Sequence, residues 1–166
     1  CSVSLLHGDL SEGQMRALYE HDKIKCLVNI AHGEGFGLPL FEAARVALPI
    51  ITVPWSGQLD FLRHNGEDLF TKVAFAMKPV QDNAVWEGVI QKNSMWAYAD
   101  EDSFKESLTW VLNNHDEALT TANKLQPLLQ AKFDTEKLYK GFCEAIWSPS
   151  DEELEWLDTK STLELT

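Results

Sequence analysis

Two apolar runs, residues 24–30 and 49–53, lack the polar–apolar alternation of a half-exposed strand. Such runs are typical of strands covered on both faces, as in a parallel sheet whose neighbours are joined by crossover helices. Between them lies Glu34-Gly35-Phe36-Gly37-Leu38-Pro39-Leu40-Phe41-Glu42. Gly35 and Gly37 free the backbone to adopt unusual dihedrals and to approach a ligand closely. Pro39 suits the first turn of a helix, where its missing N–H would have no intrahelical partner. The helix is predicted over residues 40–48, with Glu42 in its first turn. Its free N–H groups and positive dipole end would point back at the glycines, which is a setting for an anion such as phosphate.

The rest of the chain alternates in the same way. Residues 2–7 read as a short strand that turns at Gly8 and Asp9. Ser11 is placed to cap a helix with Met15, Leu18 and Tyr19 on one face. Residues 54–57 read as a loop and residues 58–64 as a short helix closed by Asn65-Gly66. Residues 68–73 read as a further strand. The 74–99 stretch, with Trp86, Met95, Trp96 and Tyr98, reads as a loop wrapping the sheet. Ser103 with Glu106 resembles a capping box for a helix to about residue 113. Helices follow over 116–132, with Pro127 as a kink, and over 135–147. Pro149 ends the last one. The pattern predicts an α/β class with a three-layer, Rossmann-like parallel sheet and right-handed crossovers. Residues 1–149 form the expected domain, and residues 150–166 an acidic tail. In such sheets ligands sit at the carboxyl ends of the strands. The Gly8–Ser11 and Glu34 turns both leave strands at that edge and are expected to face one ligand.

Composition excludes several classes. A net charge of −12 repels nucleic acid and anionic lipid. No run approaches the roughly 18 apolar residues of a membrane helix. The three cysteines, Cys1, Cys26 and Cys143, are dispersed and odd in number, which argues against a disulfide framework. They fit a reducing compartment, and a cytoplasmic location is expected. Cys26 reads as a small buried hydrophobe.

The Glu34–Glu42 segment resembles the donor-binding motif of retaining GT-B glycosyltransferases of the group 1, family 4 type. Members carry two glutamates separated by seven residues, with Gly-Phe-Gly-Leu-Pro between them, as here. The likeness extends to Gly8–Tyr19, to residues 24–53, and more loosely to the last helices. It implies the C-terminal, donor-binding domain of such an enzyme. It also implies transfer of a sugar from a nucleoside-diphosphate sugar to a carbohydrate or lipid-linked acceptor, with retention of anomeric configuration. By that resemblance Glu34 is the catalytic-site carboxylate and binds hydroxyls of the donor sugar. Gly35 and the Phe36 amide lie beside it, and Gly37 and Leu38 offer amides to the diphosphate. Glu42 accepts from the ribose, Leu10 lies near the nucleobase, and Gly8 is among the donor-binding residues. No cofactor and no metal are implied, because the helix end stands where other enzymes place a cation. The family draws further positive charge from an arginine and a lysine early in this domain. Arg16, Lys23, Lys25 and Arg45 are the nearest basic residues here, and none stands in that pattern. The family also has a strand–helix–strand portion and a whole acceptor domain ahead of this region. The chain is therefore expected to be a partial domain, inactive alone and open to homodimerisation.

Plainer readings compete. Glu42 could only complement a helix dipole, Glu34 could be a solvated loop residue, and Phe36 could be core. His7, His32 and Cys26 could be grouped as a metal site, but no ligand spacing supports it. Asp100-Glu101-Asp102 contains the Asp-x-Asp of metal-dependent transferases, yet it precedes a helix and reads as a cap. Trp55, Trp86 and Trp96 could stack on sugars or sit in an interface. As alternatives to sugar transfer, the fold could serve as a non-catalytic interaction module or as a flavodoxin-like mononucleotide-binding domain.

Overall fold

The structure is a computed structural model that describes residues 2–147 and 150–156. Its centre is a parallel sheet of three short strands, β1 (Leu27–Asn29), β2 (Ile50–Thr52) and β5 (Thr71–Lys72), in that spatial order. Leu27 pairs with Ile50 and Asn29 with Thr52, so β1 and β2 end level with each other. Helix α2 (Leu38–Arg45) crosses between them and packs on both. The fold is mixed α/β with a parallel core sheet, as the two apolar runs imply.

Burial separates the two runs. All three residues of β2 are buried. Ile51 and Val53 share one face of the strand and pack with Val73, Val111 and Ala118. The 24–30 run does not match the expectation of burial on both faces. It yields only three strand residues, and Ile24, Val28 and Ile30 are each more than a third exposed. The cause is position: β1 lies at the end of the strand order, so among the described residues one side has no neighbouring strand. The strand expected over residues 2–7 does not form either. Val3 and Leu5 are almost fully exposed, and no strand among the described residues lies beside them to complete a ladder.

Local signals decide several boundaries. Helix α1 (Glu12–Tyr19) opens on a full capping box: Ser11 Oγ accepts from Gln14 N, and Gln14 Oε1 accepts from Ser11 N. Helix α2 ends with Leu48 N donating to Ala43 O and Ala47 N to Ala44 O, a Schellman closure with Ala47 at φ 56°. Asn65-Gly66 does not close a helix. Helix α3 (Leu59–Leu62) is one turn long, and β3 (Arg63–His64) pairs antiparallel with β4 (Glu67–Asp68). Asn65 at φ 50° and Gly66 at φ 81° form the two-residue loop between them. Positive φ at both central residues matches the right-handed twist of a hairpin, which explains the preference for Asn-Gly there.

Residues 74–99 are the largest departure from the expected loop. β6 (Phe75–Pro79) and β7 (Met95–Ala99) form an antiparallel ribbon in register from Phe75↔Ala99 to Pro79↔Met95. The ribbon has its own long connection, with a single 3-10 turn at Asp82–Ala84. Helix α4 (Glu101–Asn113) is capped by Asp100, whose carboxylate accepts from Ser103 N. Asp100-Glu101-Asp102 is thus a helix start. Ser103 is not the cap; its hydroxyl accepts from Ala74 N instead.

The chain forms two compact units, residues 1–130 and 131–166. The first holds everything above and ends within α5 (His115–Lys132), which contains Pro127 as expected. The second contains α6 (Thr135–Ile146), capped by Asp134, and a helical segment at 151–156 opened by a Ser150–Glu153 capping pair. Pro149, Cys1 and residues 157–166 lie outside the described residues.

Candidate functional site

β1 and β2 run parallel and end level, so the loops that follow them emerge at one end of the sheet. The first loop carries Glu34 and the second carries Ser56 and Gly57, and the two are locked together. Ser56 Oγ donates to Glu34 O at 2.7 Å and accepts from Glu34 N at 3.2 Å, while Gly57 N donates to Glu34 O at 3.0 Å. These bonds satisfy the Glu34 backbone and fix its carboxylate's point of departure. The packing is close enough that Gly57 admits no side chain. A Cβ there would lie 2.6 Å from the Gly35 carbonyl carbon and 2.8 Å from Glu34 O. Ser56 itself sits at φ 77°, a region that a residue with a Cβ adopts at a cost.

The Glu34 carboxylate is held as well. Asn29, the last residue of β1, donates from Nδ2 to Glu34 Oε1 at 2.7 Å, and its Oδ1 accepts from Ala31 N at 2.9 Å. One polar residue at the end of an apolar strand thus shapes the turn and orients its acid.

Helix α2 begins where the glycine turn ends. Gly37 is its N-cap at φ 89°, and no side chain caps the helix. The first intrahelical bond runs from Phe41 N to Gly37 O, so the Leu38 and Leu40 amides precede the ladder, and Pro39 has none to satisfy. Leu38 is 62% exposed and Pro39 is exposed too, whereas Gly37 and Leu40 are buried, so the helix start meets solvent at Leu38 and Pro39. Gly37 cannot be replaced freely. Its φ favours glycine, and a Cβ would press on Leu40 Cδ1 at 3.2 Å. Beneath it lies Gln58, buried, with Nε2 donating to Val53 O at 3.2 Å and Oε1 lacking a partner.

The helix starts two residues earlier than expected, so Glu42 is its fifth residue and not in the first turn. Glu42 is exposed, and the buried Tyr19 hydroxyl at the end of α1 lies 3.5 Å from its Oε2. Burial pushes the Tyr19 phenol pKa up, and the Glu42 carboxylate adds to the shift. The Phe36 ring packs against Phe61 at 4.9 Å and Phe41 at 5.3 Å, and the residue is half-buried. Gly35 has open space where a Cβ would stand, as does Gly8, which is exposed at φ 147°. Leu10 is half-buried.

His32 belongs to no metal cluster. Its ring stacks on Trp96 at 4.9 Å and tilts against Tyr98 at 4.4 Å, with Nδ1 2.7 Å from Ala97 O. Ala97 N in turn donates to His32 O, so the β6–β7 ribbon is tied to the turn two residues before Glu34. Among the described residues no group of three His, Cys, Asp or Glu side chains is placed to hold a metal, and no helix is long and apolar enough to cross a membrane. Cys26 is half-buried beside the core cluster, where burial raises its thiol pKa.

Asn29, Ser56, Gly57 and Tyr19 went unrecognised as parts of this site. The sequence signal for Ser56 and Gly57 lay in the parallel-sheet rule itself, since the loop after the next strand must neighbour the loop after the first. Asn29 stood out as a polar residue at the end of an apolar run.

Residues 17–141 match the family described as Family 4 Glycosyltransferase in conflict systems. No curated protein and no solved structure matches the chain significantly. The family match covers most of the 166 residues, including Glu34, Glu42 and the sheet that positions them, and the chain belongs to the family-4 glycosyltransferases of conflict systems.

Proposed function

We propose that the turn from Glu34 to Glu42 binds a nucleoside-diphosphate sugar, and that the protein is the donor-binding part of a transferase that hands on this sugar with retention. Departure of a diphosphate builds negative charge on the leaving group and positive charge on the sugar. Preorganised N–H groups aimed at the leaving group lower that barrier. The observation that carries the reading is the start of α2 at the left-handed Gly37, with no side-chain cap, three residues after Glu34, whose carboxylate is held by Asn29. Amides of Gly37 and Leu38 take the diphosphate. Glu34 takes sugar hydroxyls, with Gly35 and the Phe36 amide beside it. Glu42 takes the ribose hydroxyls, and Gly8 and Leu10 flank the base. The transfer needs no metal in this scheme, because the helix end meets the charge. The acceptor is a carbohydrate or lipid-linked sugar, and the reaction belongs to the cytoplasm, where nucleotide sugars are made.

Calorimetric titration with UDP-glucose, GDP-mannose and ADP-glucose tests the proposal. Saturable binding of one of them is expected, and absence of binding by all three at millimolar concentration overturns it. Glu42→Ala is expected to weaken nucleotide binding about tenfold, the effect of one hydrogen bond to a charged group. An unchanged affinity removes Glu42 from the ribose site.

A further inference from the structure

We infer that Trp55 is a specificity-determining residue that stacks on the sugar ring of the ligand held by Glu34; this rests on the donor-site reading above. Trp55 is the second residue after Val53, in the loop that follows β2, at the same end of the sheet as the Glu34 turn. Its indole Nε1 edge lies against Gly33, the residue before Glu34: a Cβ on Gly33 would stand 3.9 Å from Nε1 and 3.4 Å from Ser56 Oγ. Trp55 is nevertheless 39% exposed. Trp55 thus presents a partly open aromatic side chain next to the glycine that precedes Glu34, and a ligand that covered it would gain apolar and stacking contact.

Three further features hold the ring in place. Trp55 N donates to Val53 O at 2.9 Å, which tightens the chain as it leaves the sheet. Phe75 of β6 supports the ring, with centroids 6.1 Å apart at 41°. Ser56 then turns through φ 77° so that its hydroxyl can clamp Glu34. Strain at a non-glycine residue persists where surrounding contacts over-determine it, and it concentrates at ligand sites. The same backbone turn therefore sets both the acid and the indole. A pyranose offers C–H groups to an aromatic face and hydroxyls to a carboxylate, so the pair of Glu34 and Trp55 is matched to the sugar rather than to the nucleotide.

The test compares each nucleotide sugar with its bare nucleotide. UDP, GDP and ADP and the corresponding UDP-glucose, GDP-mannose and ADP-glucose are titrated against the wild type, Trp55→Ala and Trp55→Phe, with thermal melts to verify folding. The expected result is at least a tenfold loss of nucleotide-sugar affinity in Trp55→Ala, a smaller loss in Trp55→Phe, and bare-nucleotide affinity within twofold of wild type in both. Equal weakening of nucleotide and nucleotide sugar, or no weakening of either, overturns the role of Trp55 and leaves the donor site standing. Should Trp55→Ala fail to fold, Trp55→Phe decides alone: unchanged nucleotide-sugar affinity overturns the role, and a selective loss supports it. Wild-type protein that binds none of the six ligands overturns the donor site and this inference with it.

Discussion

Replacing Gly57 by alanine isolates one physical cause. Gly57 does not use a left-handed φ, so alanine meets no backbone penalty there. The obstacle is steric. The new Cβ would stand 2.6 Å from the Gly35 carbonyl carbon, 2.8 Å from Glu34 O and closer still to Gly35 O, where ordinary contact begins at 3.4 Å. Every obstructing atom is main chain, so no rotamer change relieves the clash. The two loops must part by about 1 Å, roughly the cost of an overpacked core at 1–3 kcal/mol. The move also lengthens the Gly57–Glu34 bond and both Ser56–Glu34 bonds, each worth about 1 kcal/mol. With those bonds stretched rather than broken, the expected destabilisation is about 3–4 kcal/mol in urea denaturation. Because Glu34 moves with the loop, nucleotide-sugar affinity should fall about tenfold even where the variant is fully folded, the effect of losing one charged hydrogen bond to the ligand. A Gly57→Ala protein with wild-type stability and wild-type ligand affinity would refute the interlocked-loop argument.

Ser56 separates clamp from strain: Ser56→Ala should lose about 1–2 kcal/mol with the two bonds to Glu34, whereas Ser56→Gly loses the same bonds but relieves φ 77° and should be about 1 kcal/mol more stable than the alanine variant by denaturant midpoint. Ala47→Gly is expected to stabilise the protein by about 1 kcal/mol, because the Schellman closure of α2 places a residue with a Cβ at φ 56°; a lower melting temperature would count against that. The Asp68 carboxyl pKa is held below the ordinary 3.8, chiefly by its bond to Arg63, with Lys72 adding to it. A depressed folded pKa contributes stability that is complete above the unfolded value and is lost as pH falls through the folded one. Asp68→Asn should therefore cost stability at pH 7 and lose that cost well below pH 3.8, and a penalty independent of pH would contradict the assignment.

Much of the site was legible because its constraints are local. Gly-x-Gly before a proline fixes a turn and a helix start through backbone sterics alone, and the structure has Gly37 in the left-handed region with Pro39 in the first turn. Ser11, Asp100 and Asp134 stand at helix starts for an equally local reason, since a short oxygen-bearing side chain reaches the free amides of the next turn. The errors came where a signal has two local solutions. Asn-Gly can close a helix or a hairpin, and only the pairing of Arg63 with Asp68 chose between them. Residues 75–79 and 95–99 read as loop because Ala76, Lys78 and Pro79 blur the alternation, and their partners lie far along the chain.

By itself the sequence determined the α/β order, the buried second strand, the helix that opens after Gly37, and the acidic balance, since each follows from side-chain period, backbone freedom or a count of charges. Tertiary structure alone decided which residues hold Glu34. Ser56 and Gly57 become its partners because β1 and β2 run parallel and end level, which brings loops more than twenty residues apart into hydrogen-bonding distance, while Asn29 reaches Glu34 from only five residues away. It also decided that residues 2–7 form no strand and that residues 24–30 stay half-exposed, because a ladder needs a neighbour, and the spatial order of strands is not written in any one of them.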